Sequence, residues 1–289
     1  MLTTTAAPYR IERAGQTFAA TVHGLDLREP LTEETVGALT RDLAEHRVLV
    51  IPGQQLSHAQ HVDVSRRFGP LDVYPVSKYV VPDHPEVLTI SNIFKDGQPI
   101  GLYDGDEQIE WHTDYSWKAR TSRASLLYSV VASETGGDTL FADSTAAYDE
   151  LPEAVKQRIA GLQGVHSMHH LVETERLTNP HKAPLTAEER ERMPDMAHPL
   201  VREHPETGRR SLLLGSMIIS GIVGLGRAES DALLRELHDH ATADRYVYRH
   251  QWREGDVVMW DNEATMHTRT PCDRLVSPRL LYRTTVLWD

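Results

Sequence analysis

Three residues from two distant parts of the sequence could together bind one metal ion. His112 and Asp114 are two residues apart, and His267 follows Asp114 by 153 residues. Successive side chains of a β-strand point to opposite faces, so His112 and Asp114 would share one face of a strand. Two imidazoles and one carboxylate on one side of a metal leave its other positions open for substrates, as in non-haem Fe(II) oxygenases. The chain has 16 histidines, so this pattern needs support from other residues.

Other histidines have a weaker claim to the metal. Three of them lie close together without a carboxylate at matching spacing, and two more lie on a polar helix, where we expect them to be solvated. The first set is His166, His169 and His170, and the second is His238 and His240. A metal-bound imidazole usually needs a partner for its second ring nitrogen, and Asp261, just before His267, is a candidate for that role.

Two arginines near the C-terminal end predict an anion site. Arg279 and Arg283 are four residues apart in a run that otherwise reads as an interior strand, so we expect them to face the same side. A buried guanidinium needs an anionic partner, and that strand offers no acid before Asp289. A bound dicarboxylate would satisfy this need through a bidentate contact, and structural salt bridges are the alternative.

The elements that must position these residues come from both halves of the chain. The predicted strands are 47–53, 87–92, 124–132, 139–143, 246–252, 256–262 and 279–288, together with the strand of the H-x-D pair. The predicted helices begin at Thr32 and Ser57 and occupy 144–161 and 227–243. We therefore predict a mainly β fold with flanking helices, as a sandwich or barrel closed by non-local strand pairing.

One segment differs from this pattern. Residues 169–200 are polar and contain four prolines, which predicts a long surface excursion of the kind that often serves as a lid or binding loop. We see no internal repeat or linker, so residues 1–289 are interpreted as a single domain.

Composition limits the classes of function. The net charge of −12 argues against a nucleic-acid-binding surface. Neither a secretory signal at the amino terminus nor a run of about 18 apolar residues is visible, so we expect a cytoplasmic protein without a membrane partner. The single cysteine, Cys272, excludes an internal disulfide and a cysteine-rich zinc site.

At this point the motifs match a known family. W-H-x-D at 111–114, G-G-D-T-L-F at 136–141, W-D-N at 260–262, His267 and an arginine 12 residues later together resemble the TauD/TfdA family of Fe(II)- and 2-oxoglutarate-dependent dioxygenases. The stretches GLDLREPL (24–31), IPGQQLS (51–57) and SRRFGPL (65–71) extend the resemblance over nearly the whole chain.

The resemblance implies roles for particular residues. His112, Asp114 and His267 match the iron ligands of the family. Thr139 and Arg279 match the residues that bind the distal carboxylate of 2-oxoglutarate. The implied fold is a double-stranded β-helix, or jelly roll, and the implied cofactors are Fe(II), 2-oxoglutarate and O2. The reaction would release succinate and CO2, with hydroxylation as the default outcome, and homo-oligomers are common among such proteins.

The substrate is predicted only as a small anionic organic molecule. Candidate substrate-binding residues are Arg283, Tyr74, Tyr103 and Gln108. Tyr74 stands where taurine-type members are expected to have a histidine, which disfavours taurine. The ISNIFKDG stretch (90–97) and the 12-residue spacing from His267 to Arg279 favour the phenoxyalkanoate-type branch. Alternatives are a taurine-type sulfonate dioxygenase and a biosynthetic tailoring oxidase that gives a desaturated or otherwise oxidised product. A metal-binding jelly roll without turnover is disfavoured, because it would not need the Thr139 and Arg279 carboxylate site.

Overall fold

The helices predicted near Thr32, Ser57 and 227–243 are observed close to those positions, and the predicted helix at 144–161 is divided into two. The structure is a computed structural model that describes residues 8–103, 105–178 and 183–289. The first seven residues, which are part of the segment used to judge a secretory signal, lie outside the described residues. Within these ranges the helices are α1 (Glu33–His46), α2 (His58–Arg66), α3 (Ser144–Asp149), α4 (Glu153–Ile159), α5 (Met168–Thr178), α6 (Ala187–Arg192) and α7 (Arg227–Ala241).

The same described ranges contain eighteen strands, and two 3₁₀ turns at Ser77–Tyr79 and Asp244–Tyr246. The first nine strands are β1 (Arg10–Arg13), β2 (Ala20–His23), β3 (Val48–Ile51), β4 (Val80–Val81), β5 (His84–Ser91), β6 (Phe94–Lys95), β7 (Gln98–Pro99), β8 (Ala124–Val131) and β9 (Thr139–Asp143). The others are β10 (Gln163–His166), β11 (Met196–Pro199), β12 (Val201–Glu203), β13 (Arg210–Leu212), β14 (Ile219–Ile222), β15 (Val247–His250), β16 (Val257–Asp261), β17 (Thr265–Arg269) and β18 (Leu280–Val286).

Local signals explain where the first elements start. Thr32 is the N-cap of α1, and its side chain accepts a hydrogen bond from the Thr35 amide at 3.2 Å. Ser57 and Gln60 form a capping box at the predicted start of α2. A turn at Asp96-Gly97 joins β6 and β7, and both residues have positive φ, as a two-residue hairpin turn of this kind requires.

The large sheet brings strands from both halves of the chain together. Its order is β1-β2-β3-β16-β8-β18-β5-β4, so β16 and β18 from the C-terminal part flank β8 from the middle. These pairings are antiparallel, whereas β2 and β3 run parallel. The predicted closure of the fold by non-local strand pairing is therefore confirmed.

A smaller sheet of order β15-β9-β17 faces the large one. Phe141 on β9 belongs to a core cluster with Val258 and Trp260 on β16 and Leu281 on β18, so this cluster lies between the two sheets. The outer face of the large sheet packs on α1 and α2, and the outer face of the small sheet packs on α3 and α7. The predicted mainly β architecture with flanking helices is observed.

The 169–200 segment is more regular than the sequence suggests. It contains most of α5, all of α6, and β11, which pairs with β10. Residues 179–182 of this segment lie outside the described residues. The described parts are thus largely regular, and α6 has its own capping box at Thr186 and Glu189. That the segment is a surface excursion or lid stays a prediction.

Two histidines predicted to be solvated have hydrogen-bond partners instead. His238 Nε2 lies 2.8 Å from Ser216 Oγ, and His240 Nε2 lies 2.8 Å from the Ala147 carbonyl oxygen. Both sit in the last turn of α7, where this helix packs on the rest of the fold. In the parts of the chain that the structure describes, no helix combines the length and the apolar character that a membrane span requires.

The capping box of α2 provides a stability test. The Ser65 and Thr284 hydroxyls are 2.6 Å apart, which joins α2 to β18, so the helix supports the strand that carries Arg283. We expect Ser57→Ala to lower the free energy of unfolding by about 1 kcal/mol, because an amide of the first turn loses its acceptor. Thermal denaturation should show a Tm lower by about 2–4 °C. Ser57→Asp keeps an acceptor and should lose much less; equal losses in both variants would contradict the capping role.

Candidate metal centre

His112 and His267 are neighbours because their backbones pair. The His112 amide donates to the His267 carbonyl at 3.0 Å, and the His267 amide donates to the His112 carbonyl at 2.8 Å. This two-way exchange is a hydrogen-bonded antiparallel pair at the edge of β17. The two imidazole rings consequently lie with their centroids 4.2 Å apart.

Asp114 reaches the same place from a turn and not from a strand. His112 forms a single bridge to β17, and the chain then turns at Asp114 and Tyr115, where Tyr115 has φ +61°. The prediction of one strand through the H-x-D pair is therefore wrong. The Thr113 hydroxyl donates to the Thr265 carbonyl at 3.1 Å, which holds this turn against β17.

The predicted triad is assembled in the structure. Among the described residues, His112, Asp114 and His267 form the group of potential metal ligands, with one ligand atom from each within 4.8 Å of the others. His112 Nδ1 lies 2.8 Å from the Glu110 carbonyl oxygen, so Nε2 is the ring nitrogen left for a ligand. Asp114 and His267 are buried, and His112 is partly exposed, so the group opens on one side.

The electrostatics of the site suit a cation. Burial alone would raise the pKa of Asp114, but the Arg283 charge, the two imidazoles and a hydrogen bond from Ser125 lower it to about 2. Burial, together with the neighbouring His112, lowers the pKa of His267 to about 3. At neutral pH the site therefore holds a carboxylate and a neutral imidazole, which are the forms that bind metals.

The surroundings of His267 differ from the prediction. Asp261 does not hold its second nitrogen, because the Asp261 carboxylate lies 2.9 Å from His204 Nε2. His267 Nδ1 is buried and has no hydrogen-bond partner among the described residues. Aromatic contacts place the ring instead, with centroids 5.0 Å from Trp260 and 6.1 Å from Phe141.

Arg283 has an acidic partner within the protein. Its Nη1 atom lies 2.9 Å from Asp114 Oδ1 and 3.2 Å from Asp114 Oδ2. For Arg283 the salt-bridge alternative is therefore the one observed, and its acidic partner comes from a different element. A register shift between Leu280 and Leu281 also means that the four-residue spacing does not by itself place Arg279 and Arg283 on one face.

Thr139 and Arg279 both contact Trp252, a residue that the sequence did not single out. Trp252 donates its indole N–H to Thr139 Oγ1 at 3.0 Å, and its ring lies 5.9 Å below the Arg279 guanidinium carbon. An indole N–H can only donate, so the threonine oxygen accepts here and its own hydrogen stays available for an anion. No sequence signal marks Trp252, because an aromatic residue after a strand is most often part of a core.

Comparisons with known proteins identify the family of this chain. The family model described as "Taurine catabolism dioxygenase TauD, TfdA family" matches residues 10–285. The chain belongs to this family.

Individual TauD/TfdA proteins are similar over nearly the full length. The α-ketoglutarate-dependent 2,4-dichlorophenoxyacetate dioxygenase of Cupriavidus pinatubonensis is 37% identical, covering 94% of this chain and 95% of its own. The pentalenolactone F synthase of Streptomyces arenae is 31% identical, with coverage of 90% and 89%. The crystal structure of AAD-2 in complex with Mn(II) and N-oxalylglycine has a TM-score of 0.82 at 33% identity, with 96% coverage of both chains.

TauD/TfdA membership confirms the predicted class of enzyme, a 2-oxoglutarate-dependent dioxygenase with a metal centre. The expectation of a catalyst, rather than a binding module without turnover, is thereby confirmed. The group of potential ligands found in the described residues does not include His166, His169 or His170. His166 is fully buried beside His198, and burial lowers its pKa to about 3.

The candidate substrate residues outside β18 lie on connecting segments. Tyr74 is half-buried near Tyr79, with ring centroids 6.5 Å apart. Tyr103 packs edge-on against Phe94 at 5.2 Å. The exposed Gln108 side chain lies 3.5 Å from Thr268 Oγ1, on the segment that runs beside β17. Their roles remain predictions.

Steric crowding explains the second glycine of the G-G-D-T motif, and a substitution there tests the role of Arg279. Gly137 has φ +72°, and a Cβ atom there would lie 3.2 Å from Arg279 Cδ, 3.1 Å from Cys272 Sγ and 2.7 Å from Ser133 Oγ. We expect Gly137→Ala to displace Arg279 and weaken 2-oxoglutarate binding by about tenfold or more, as measured by calorimetry on metal-loaded protein.

Gly208→Ala is the matched control for this substitution. Gly208 has a similar φ of +67°, but a Cβ atom there would meet nothing within 4 Å. The control should show the same backbone strain without loss of 2-oxoglutarate affinity. Equal 2-oxoglutarate affinities in Gly137→Ala and Gly208→Ala would show that crowding of Arg279 does not affect cosubstrate binding.

Proposed function

We propose that His112, Asp114 and His267 bind Fe(II), and that Thr139 and Arg279 bind the distal carboxylate of 2-oxoglutarate. The observation that carries this proposal is the register of β9 and β17. Phe141 pairs with His267 and Thr139 pairs with Arg269, so Thr139 and His267 lie diagonally on one face of the small sheet. Diagonal neighbours are about 7–8 Å apart, which suits a short dicarboxylate between a metal and a hydroxyl.

The donor set supports iron in particular. Two imidazoles and one carboxylate with an open side are typical of Fe(II) sites that bind a cosubstrate and O2. When bound, the iron would supply the oxidising chemistry, with succinate and CO2 formed from 2-oxoglutarate. The protein's own residues bind and orient the reactants. Arg279, which is only 6% exposed, provides a largely desolvated positive charge for the distal carboxylate.

The two facing sheets support a jelly roll for the core. The mostly antiparallel large sheet and the β15-β9-β17 sheet enclose a shared core, and the candidate residues come from strands of both. The TauD/TfdA model matches residues 10–285, which supports one domain over the whole chain, 1–289. The 169–200 segment remains a candidate lid.

The substrate class proposed is a small organic anion that is hydroxylated at a C–H bond. Arg283 supports this class because its guanidinium lies beside Asp114 and brings a second positive charge next to the metal site. Tyr74, Tyr103 and Gln108 are the proposed contacts for the remainder of the substrate. Similarity to a 2,4-dichlorophenoxyacetate dioxygenase favours an aryloxy acid over a sulfonate. Similarity to pentalenolactone F synthase supports a biosynthetic tailoring oxidase as the second candidate.

An anaerobic titration tests the metal and cosubstrate assignments. Addition of Fe(II) and 2-oxoglutarate to the folded protein should give a weak visible charge-transfer band. His112→Ala should abolish both this band and succinate release, because one metal ligand is lost. Arg279→Ala should retain iron but require much more 2-oxoglutarate, because only the distal carboxylate loses its partner. Absence of the band in folded wild-type protein would exclude the proposal, and equal iron loss in Arg279→Ala would contradict the role of that residue.

A substrate screen tests the proposed substrate class. Succinate release under O2 should increase with aryloxy acids more than with sulfonates or N-substituted amino acids. Arg283→Gln should lower turnover of these anionic substrates, but it also removes a partner of Asp114, so iron content must be measured in parallel. Preference for a neutral substrate by the wild-type protein would contradict the proposed class.

A further inference from the structure

The asparagine of the W-D-N motif is linked to the metal centre by hydrogen bonds. Asn262 is 0% exposed and follows β16 directly. Its Oδ1 accepts from Trp260 Nε1 at 2.8 Å, and its Nδ2 donates to Ser125 Oγ at 3.0 Å. The Ser125 hydroxyl then donates to Asp114 Oδ2 at 2.9 Å. Two successive hydrogen bonds, through Ser125, therefore join the motif to the predicted carboxylate ligand.

The direction of each hydrogen bond in this series is fixed by chemistry. The Trp260 indole can only donate, so the atom that faces it must be the amide oxygen of Asn262. Both amide hydrogens then point the other way, one to Ser125 and one to Ser122 Oγ at 2.9 Å. Since the Ser125 oxygen already accepts, its single hydrogen is available for Asp114 Oδ2.

We propose that Asn262 and Ser125 are positioning residues, which hold the Asp114 carboxylate in the one orientation that binds the metal. The inference rests on the proposed function, in which Asp114 is a metal ligand. With Oδ2 held by Ser125, the carboxylate cannot rotate freely about its Cβ–Cγ bond. The Trp260 ring also contacts His267 at 5.0 Å, so the end of β16 places two of the three ligands.

A purely structural role for these groups is the competing explanation. Buried polar groups must be satisfied in any fold, and removing one costs stability wherever it lies. The positioning role predicts something more, namely a loss of metal affinity in protein that is still fully folded. Partners of metal ligands typically change metal affinity by about 10–100-fold when they are removed.

Ser125→Ala and Ser129→Ala form a matched pair for the experiment. Both serines are on β8 and are 0% exposed, but the Ser129 hydroxyl has no hydrogen-bond partner among the described residues. We expect Ser125→Ala to weaken Mn(II) binding by about 10–100-fold in equilibrium titrations and to change the visible spectrum of Co(II)-loaded protein. Ser129→Ala should match the wild-type protein in both measurements.

Asn262→Asp tests the direction of the hydrogen bonds. A carboxylate at this position can only accept, so Ser125 would donate to it and Asp114 would lose its hydrogen bond. If Asn262 acts through Ser125, a protein that carries both Asn262→Asp and Ser125→Ala should have the same Mn(II) affinity as whichever single variant binds Mn(II) more weakly. If Asn262→Asp does not fold, the comparison of Ser125→Ala with Ser129→Ala still tests the positioning role of Ser125.

The outcomes separate this inference from the proposed function. Wild-type Mn(II) affinity in folded Ser125→Ala, or equal losses in Ser125→Ala and Ser129→Ala, would overturn the positioning role while leaving the metal site intact. If the losses of Mn(II) affinity from Ser125→Ala and Asn262→Asp add in the double variant, Asn262 does not act through Ser125. Failure of the wild-type protein to bind metal, with no effect of His112→Ala, would instead overturn the proposed function and this inference with it.

Discussion

The metal centre depends on the mutual backbone pairing of His112 and His267. These residues are far apart in the sequence. They become neighbours because the segment that precedes Asp114 pairs with β17. The pairing brings the two backbones together through mutual hydrogen bonds, and side-chain contacts then orient the rings. Asp114 then needs only a short turn to reach the same point, and that turn includes the left-handed Tyr115. The close approach of three ligand atoms is thus a result of strand pairing, completed by side-chain contacts.

Charge neutralisation is the second condition for this arrangement. Asp114, Arg283 and Arg279 are largely buried in a protein with a net charge of −12, and isolated buried charges would be costly. Asp114 is stabilised by Arg283, by Ser125 and by the nearby imidazoles, which together outweigh its desolvation and lower its pKa. Arg279 lies over the face of Trp252, beside the threonine that the same tryptophan holds.

The sequence predicts the elements and the triad better than the contacts between them. Apolar runs and caps identify the strands that become β3, β8, β16 and β18 and the helices that become α1 and α2, because these signals are local. The partner of Arg283 could not be predicted, since it depends on the packing of β18 beside the turn at Asp114. Trp252 and Ser125 were missed for the same reason: their side chains act across strands. Asp261 was assigned to the wrong histidine, because proximity in sequence does not specify which way a side chain points.

The division between strands and connecting segments has an evolutionary consequence. Three of the metal and cosubstrate candidates, His112, His267 and Thr139, are anchored by backbone pairing, whereas Tyr74, Tyr103 and Gln108 lie on segments outside the two facing sheets. Under the proposed assignment, mutations in those segments can reshape the pocket at little cost to the oxidative machinery. Arg283 is the exception, because its replacement would also disturb Asp114. Related enzymes with this fold would therefore change the shape of the substrate they accept more readily than its charge.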